Sequence, residues 1–297
     1  MSERVAILGL GTMGLGMAGR LAQAGVPLAV WNRTASRAES LRSSGARVGA
    51  TPRDAARDAT CVISMLSDDA ASREVWLGEN GALAGLAPGA LLIESSTISP
   101  VWVRELGAAA RAHGSALVDA PVTGSRTHAA NGELTFLAGG DAKDVERATP
   151  VLKLMGKAVV HVGPLGSGAL LKLVNNFLCA VQAVAFGEGL ALLDKSELDL
   201  SKAVPALING AAGSPLVKTM AERIATHDAS VHFYLGLMQK DLTYAVEEGQ
   251  RHSLDLRSAA LARDLFRAAS ENGFASSDLS TITEYLRGRT PESRAKS

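Results

Sequence analysis

The chemistry this chain can perform is concentrated in three groups of residues. Lys172 and Asn176 stand four apart in the otherwise apolar run from Gly163 to Asp194, so both side chains point to one face of a helix. A lysine among Ala, Leu and Val must reach solvent, find a partner or transfer protons. Gly9-Leu10-Gly11-Thr12-Met13-Gly14 is the second group. In this spacing the first glycine allows a tight turn, the second admits a pyrophosphate to the backbone, and the third lets helix pack on strand. The phosphates would rest on the first turn of the following helix, where free N–H groups and the macrodipole favour negative charge. The third group is Asn32-Arg33-Thr34, followed by Arg37. An NAD enzyme usually places Asp or Glu here, against the ribose 2′-hydroxyl. A carboxylate would repel a 2′-phosphate, whereas an arginine flanked by amide and hydroxyl donors would hold it. NADP(H) is therefore the expected cofactor; NAD is possible if Arg33 is only a solvated loop residue.

The elements that must position these groups form a regular alternation. Val5-Ala6-Ile7-Leu8 is wholly apolar and β-branched, as a strand buried on both faces should be, and the spacing predicts a helix from Met17 to Ala24 after the glycines. Further strands are expected at Leu28–Trp31, Val62–Met65, Leu91–Glu94, Ala116–Asp119, Leu134–Ala138 and Ala158–Val162, with a helix ending near Met155. Small hydroxyl and glycine residues gather just after the carboxyl ends of these strands, at Leu66-Ser67-Asp68-Asp69, Ser95-Ser96-Thr97 and Ala120 to Ser125. Ligands of open α/β sheets bind at that edge. After the Gly/Ser-broken turn that opens at Gly163, roughly 25 residues run without proline, a helix on the order of 40 Å long and able to belong to two domains. Beyond Asp194 the periodicity is helical only, with helices expected over 201–208, 215–224, 233–248, 254–271 and 278–287. The expected fold class is α/β: a Rossmann-type doubly wound sheet over 1–163, a long interdomain helix over 164–194, an all-α domain over 195–290 and a polar tail over 291–297.

The totals exclude several classes of function. The 297 residues carry 30 Lys and Arg against 30 Asp and Glu, so the net charge is zero and there is no electrostatic footprint for nucleic acid or an anionic membrane. Cys61 and Cys179 lack metal-ligand spacing and read as buried thiols in a reducing compartment. The six histidines are scattered, so no metal site is expected. The apolar N-terminus is broken by glycines at positions 9, 11, 14, 16 and 19 and does not read as a signal peptide. Lys, Asn, Gln and Glu interrupt the long helix, which argues against a membrane span. A soluble, cytoplasmic protein is expected.

Four stretches taken together resemble the β-hydroxyacid dehydrogenase family, which contains 3-hydroxyisobutyrate dehydrogenases, tartronate semialdehyde reductases and glyoxylate/succinic semialdehyde reductases. They are Gly9 to Gly14, Asp119-Ala120-Pro121-Val122-Thr123-Gly124, Gly166 through Lys172 to Asn176, and Met238-Gln239-Lys240-Asp241-Leu242. The resemblance implies that Lys172 is the catalytic lysine and that Asn176 orients the substrate, with Asn175 beside it. It also implies that Thr123 and Gly124 grip the substrate carboxylate and that Leu66, Ser67, Thr97 and Lys240 line the cofactor. The chain departs from the family's Ser-Gly-Gly, which is here Thr123-Gly124-Ser125, a narrower site. Ser125-Arg126 with Ala129 to Gly132 is more similar to the glyoxylate/succinic semialdehyde reductase branch, and Asn32-Arg33-Thr34 resembles members that use NADPH. Arg126 and His128 stand in the same loop, where residues of these types often serve solubility alone.

On this reading Lys172 would donate a proton to a carbonyl oxygen during reduction and take a hydroxyl proton during oxidation. Lys240 as a second cation would lower its pKa. Thr123 and the N–H groups of Gly124 and Ser125 would hold the carboxylate of a small-molecule substrate. Competing readings are an imine reductase on the same scaffold, which the retained Lys172 disfavours, and a cofactor-binding sensor without turnover. A 6-phosphogluconate dehydrogenase would need a larger α-domain. A homodimer or homotetramer is expected of a long shared helix with an apolar α-domain.

Overall fold

The computed structural model describes residues 3–291, so the tail expected over 291–297 lies outside the described residues apart from Pro291. The chain divides into two compact units, one ending at Lys172 and one beginning at Leu173.

The first unit is a sheet with helices on its faces. Its elements are β1 (Val5–Leu8), α1 (Gly14–Gln23), β2 (Leu28–Trp31), α2 (Glu39–Arg42), β3 (Arg47–Val48), α3 (Pro52–Ala56), β4 (Cys61–Ser64), α4 (Asp69–Leu77), β5 (Leu91–Glu94), α5 (Pro100–Ala112), β6 (Ala116–Asp119), β7 (Val122–Thr123), α6 (Arg126–Asn131), β8 (Leu134–Gly139), α7 (Ala142–Lys153) and β9 (Gly156–Gly163). The strand order is β3-β2-β1-β4-β5-β6-β8-β7, with β9 paired to β8. The strands from β3 to β6 are mutually parallel, whereas β8 runs antiparallel to β6 and β7. The apolar runs form these strands because both sheet faces are covered. Val5 and Ile7 enter one buried cluster, with Met17 and Leu21 of α1, while Ala6 and Leu8 enter the other, with Trp76 and Trp102. The helix after the glycine loop begins at Gly14 rather than at the expected Met17, because the turn of the loop feeds directly into it. The strand expected at 62–65 is shifted by one residue, to Cys61–Ser64.

The second unit is all helical. The helix α8 (Ser167–Leu193) enters it from the first, and α9 (Leu200–Asn209), α10 (Pro215–Ala225), α11 (Leu235–Arg251), α12 (Arg257–Ala269) and α13 (Ile282–Leu286) come after it. Ala180, Ala183 and Val184 of α8 pack with Met238, Leu242 and Val246 of α11 and with Ala262 and Phe266 of α12. The helix expected over 254–271 starts only at Arg257, after Ser253 turns left-handed at φ 58°, and ends in a π-turn over Ser270–Phe274. The element expected over 278–287 opens as a 3-10 turn, Leu279–Thr281, capped by Asp278, and only then becomes α13. Among the described residues α8 is the one helix long and apolar enough to cross a membrane. Its residues are used in packing instead: Ala169 joins the core of the first unit and Ala180 that of the second.

Candidate active site

The parallel register lines up the last residues of four strands. Leu8 pairs with Ser64, Ser64 with Glu94, and Glu94 with Asp119, so the loops beyond them leave the sheet along one edge. The glycine loop is the first of them. Gly9 has φ 98°, and a Cβ there would lie 2.3 Å from the Met65 carbonyl oxygen. A Cβ on Gly14 would meet the Gly9 carbonyl oxygen at 2.0 Å, whereas one on Gly11 would meet nothing within 4 Å. The two outer glycines are therefore closed against the fold and the middle one faces open space. Thr12 and the N-cap Met13 are half-buried, and no side chain caps the first turn of α1. Asn32 braces the loop: its Oδ1 accepts the Leu10 N–H at 2.9 Å and its Nδ2 donates to the Thr34 carbonyl at 2.9 Å. With both ends of that amide engaged, the exposed Arg33, Thr34 and Arg37 are the groups left facing outward beyond β2.

The loops after β4 and β5 are tied to each other. Leu66 donates its N–H to Ser96 Oγ at 2.7 Å, and Ser99 donates through backbone and hydroxyl to the two oxygens of Asp69 at 2.8 and 2.6 Å. Beneath them Glu94 is fully buried and accepts from Ser72 Oγ, Trp76 Nε1 and the Ser96 N–H. Three donors replace the water that burial removes, which is the condition for keeping a carboxylate inside. Ser67 is exposed, its hydroxyl on Asp68 at 2.7 Å, and Thr97 is half-buried.

Asp119 ends β6 and anchors the helix that carries Lys172. Its two oxygens accept the Gly166 N–H at 2.8 Å and the Ala169 N–H at 2.7 Å, at the start of α8. Burial raises the Asp119 carboxyl above its ordinary range, and the backbone donors offset only part of that rise. Gly139 and Gly168 permit the approach, since a Cβ on Gly168 would lie 2.1 Å from the Leu137 carbonyl oxygen. Lys172 is half-buried and stands one turn further along that helix. Beyond Asp119 the chain forms β7, where Thr123 pairs with Thr135, and then Gly124 at φ 131° and the half-buried Ser125. The Ser125 N–H donates to Nδ1 of His128 at 3.1 Å, with the Ser125 hydroxyl 2.8 Å from the same nitrogen. That N–H, expected to meet a substrate, is thus taken up within the loop. Packing of α6 on α1, with Gly16 against Ala129 and Ala130, brings this loop beside the glycine loop.

In the second unit the buried Asn176 and Asp241 and the half-buried Lys240 form one cluster. Asn176 is 3% exposed and donates to Asp241 Oδ2 at 2.6 Å, while Asn175 donates to the Asn176 Oδ1 at 2.9 Å. Lys240 pairs with Asp241 Oδ1 at 2.9 Å and lies 5.1 Å from the Tyr244 ring centroid. Lys240, expected as a second cation, thus has the neighbouring Asp241 as a counter-ion. Sequence reasoning passed over Glu94, Asp119 and Asp241 as working groups. A carboxylate closing an apolar strand, or coming after a lysine on a half-apolar helix, was the available signal.

An open face at Gly11, an uncapped helix start and a loop without carboxylates after β2 fit a nicotinamide dinucleotide. Among the described residues no group of three His, Cys, Asp or Glu is placed to hold a metal ion. Fold and loop chemistry together define a dinucleotide-binding oxidoreductase with a helical second domain. Residues 4–163 match the NAD binding domain of 6-phosphogluconate dehydrogenase, and residues 166–286 match the NAD-binding region of NADP-dependent 3-hydroxyisobutyrate dehydrogenase. An NAD-dependent L-serine dehydrogenase of Pseudomonas aeruginosa is 36% identical over 96% of this chain and 98% of its own. A 3-sulfolactaldehyde reductase of Escherichia coli is 34% identical over 95% of each chain. The structure of a 3-hydroxyisobutyrate dehydrogenase of Mycobacterium tuberculosis with L-serine superposes with a TM-score of 0.88, at 30% identity, over 97% of this chain and 100% of that one. The chain belongs to the β-hydroxyacid dehydrogenase family.

Proposed function

We propose that this chain is an NADP(H)-dependent oxidoreductase that interconverts a small β-hydroxy acid and its aldehyde acid. The observation that carries the reading is a half-buried lysine, Lys172, on a helix whose first turn is pinned by the buried carboxylate of Asp119. The bound cofactor supplies or accepts the hydride. Protonated Lys172 gives its proton to the carbonyl oxygen in reduction, and neutral Lys172 takes the hydroxyl proton in oxidation. The Thr123 hydroxyl and the Gly124 N–H hold the carboxylate and so fix the reacting carbon. Asn176, held by Asp241, orients the substrate from the same helix face as Lys172, with Asn175 supporting its amide. Gly9, Gly11, Thr12, Met13 and Gly14 hold the pyrophosphate. Leu66, Ser67, Thr97 and Lys240 line the cofactor.

The preference for NADP(H) is supported by Arg33 and Thr34, exposed beyond β2 with Asn32 engaged elsewhere. A second reading, NAD-linked oxidation of L-serine, is favoured by the Pseudomonas aeruginosa relative. Cytoplasmic location and assembly into a homodimer or homotetramer belong to the same proposal. Assembly is supported by α9, in which no residue is buried although it carries Leu200, Val204, Leu207 and Ile208.

One assay tests these readings. The purified protein is mixed with NADPH or NADH and glyoxylate, succinic semialdehyde, methylmalonate semialdehyde, tartronate semialdehyde or a cyclic imine, and with L-serine and either oxidised cofactor. Turnover of an aldehyde acid with NADPH is expected, and none with any acid would refute the first reading. Equal kcat/KM with NADH would show that Arg33 does not discriminate. Lys172→Ala should still bind NADPH while losing turnover by at least ~100-fold, the usual worth of general acid–base help.

A further inference from the structure

We propose that His128 is a specificity-determining residue that secures the substrate loop without placing a negative charge beside the bound carboxylate. The inference rests on the reading that Thr123 and Gly124 receive that carboxylate. Ser125 is the N-cap of α6 and His128 is its third helical residue. In the usual capping box this third position is Glu or Gln, whose side chain accepts the N–H of the N-cap residue. Here the imidazole does so, with Ser125 N 3.1 Å from Nδ1. A backbone N–H can only donate, so Nδ1 is the acceptor and the proton of the neutral ring sits on Nε2.

The contact has three consequences for the loop. It fixes the turn through Gly124, where a Cβ would lie 2.9 Å from Leu134 Cδ2 and 3.1 Å from His128 Cβ. It withdraws the Ser125 N–H from the donors open to a ligand, leaving the Thr123 hydroxyl and the Gly124 N–H. It also does the work of a capping glutamate with a neutral group. A glutamate at position 128 would satisfy the same N–H, but it would place a negative charge in the same short loop as a carboxylate on Gly124, and like charges that near repel even in water. Glutamine would keep the hydrogen bond and add no charge.

The test compares His128→Glu, His128→Gln and His128→Ala in the full chain. Readouts are Tm, NADPH affinity, and KM and kcat for glyoxylate and for its uncharged methyl ester. His128→Glu should keep Tm and NADPH affinity while raising KM for glyoxylate about threefold or more, with kcat within roughly twofold. KM for the ester should stay unchanged. His128→Gln should keep KM near that of the parent, and His128→Ala should lower Tm and raise KM for both substrates, since the loop itself loosens. An unchanged KM for glyoxylate in His128→Glu would overturn the proposal, as would an equal rise in His128→Gln. No turnover of any acid by the parent would remove the proposed function and this inference with it.

Discussion

Replacing Asp119 by Asn tests whether one buried carboxylate sets the start of the helix that carries Lys172. The carboxylate accepts two backbone N–H groups, from Gly166 at 2.8 Å and Ala169 at 2.7 Å, and its residue is fully buried. An amide of the same shape can accept only one of them, and its NH2 group faces the other. A hydrogen bond to a charged group contributes about 1.5–3 kcal/mol, and a buried donor left without a partner costs about 1–3 kcal/mol. The two overlap, so the expected loss is about 3 kcal/mol. With a urea slope of about 2 kcal/mol/M, the unfolding midpoint of the first unit should fall by about 1.5 M. NADPH affinity should hold, because the glycine loop is untouched, while kcat falls about tenfold or more as the first turn of α8 loosens. Gly168→Ala should act in the same direction, since its Cβ would press on the Leu137 carbonyl. A midpoint within about 0.3 M of the parent, with unchanged kcat, would refute the reasoning.

Three further outcomes are expected from the geometry. Asp241→Ala leaves the Asn176 amide without its acceptor and Lys240 without its counter-ion, so calorimetry should show a loss of about 3 kcal/mol from the second unit; less than about 1 kcal/mol would show that the cluster is slack. Asp194 is held below the usual carboxylate range chiefly by its hydrogen bond from Arg287, opposed by burial and helped by the charges of Arg287 and Arg289. Its stabilisation is therefore complete above the ordinary value of 3.8 and is lost as pH falls through the lowered one. Asp194→Asn should cost about 1 kcal/mol at neutral pH, allowing for solvent screening, and the gap to the parent should close in acid; a gap that persists below that window would contradict the assignment. Burial, then the charge of Glu3, pushes the Cys61 thiol up to about 12 against the pull of Arg147. A thiol reagent at mild alkaline pH should therefore reach the half-buried Cys179 in the native protein and Cys61 only after unfolding, and rapid native labelling of Cys61 would refute this.

The sheet was readable from sequence wherever burial on both faces made strands apolar throughout, as in Val5–Leu8 and Leu28–Trp31, or apolar up to a closing carboxylate, as in Leu91–Glu94 and Ala116–Asp119. Direction was not readable. Nothing in Leu134–Gly139 tells that it runs antiparallel to β6 and β7, because a strand's hydropathy is the same read either way. Helix breaks in the second unit escaped for a related reason. Ser253 is left-handed although serine has no special liking for that region, so the start of α12 at Arg257 reflects the packing of Leu256 over Gly249. Among the site residues, the glycine loop was legible because each glycine answers a steric demand. The engagements of Asn32 with Leu10, Asp119 with Ala169, Ser125 with His128 and Asp241 with Asn176 depend on which atoms face each other, which residue type alone does not determine.

The aromatic residues are divided between the two compact units in a way that opens a separate optical window on each. All three tryptophans, Trp31, Trp76 and Trp102, lie before Lys172, and all three tyrosines, Tyr234, Tyr244 and Tyr285, lie after it. Trp76 and Trp102 both donate into the buried cluster around Glu94 and Ser72, so their emission reports the loops proposed to cradle the cofactor. Light absorbed by tryptophan alone will track the dinucleotide-binding unit as denaturant rises. Tyrosine absorbance will track the helical unit, and any separation of the two curves will measure how independently the halves of this enzyme stand.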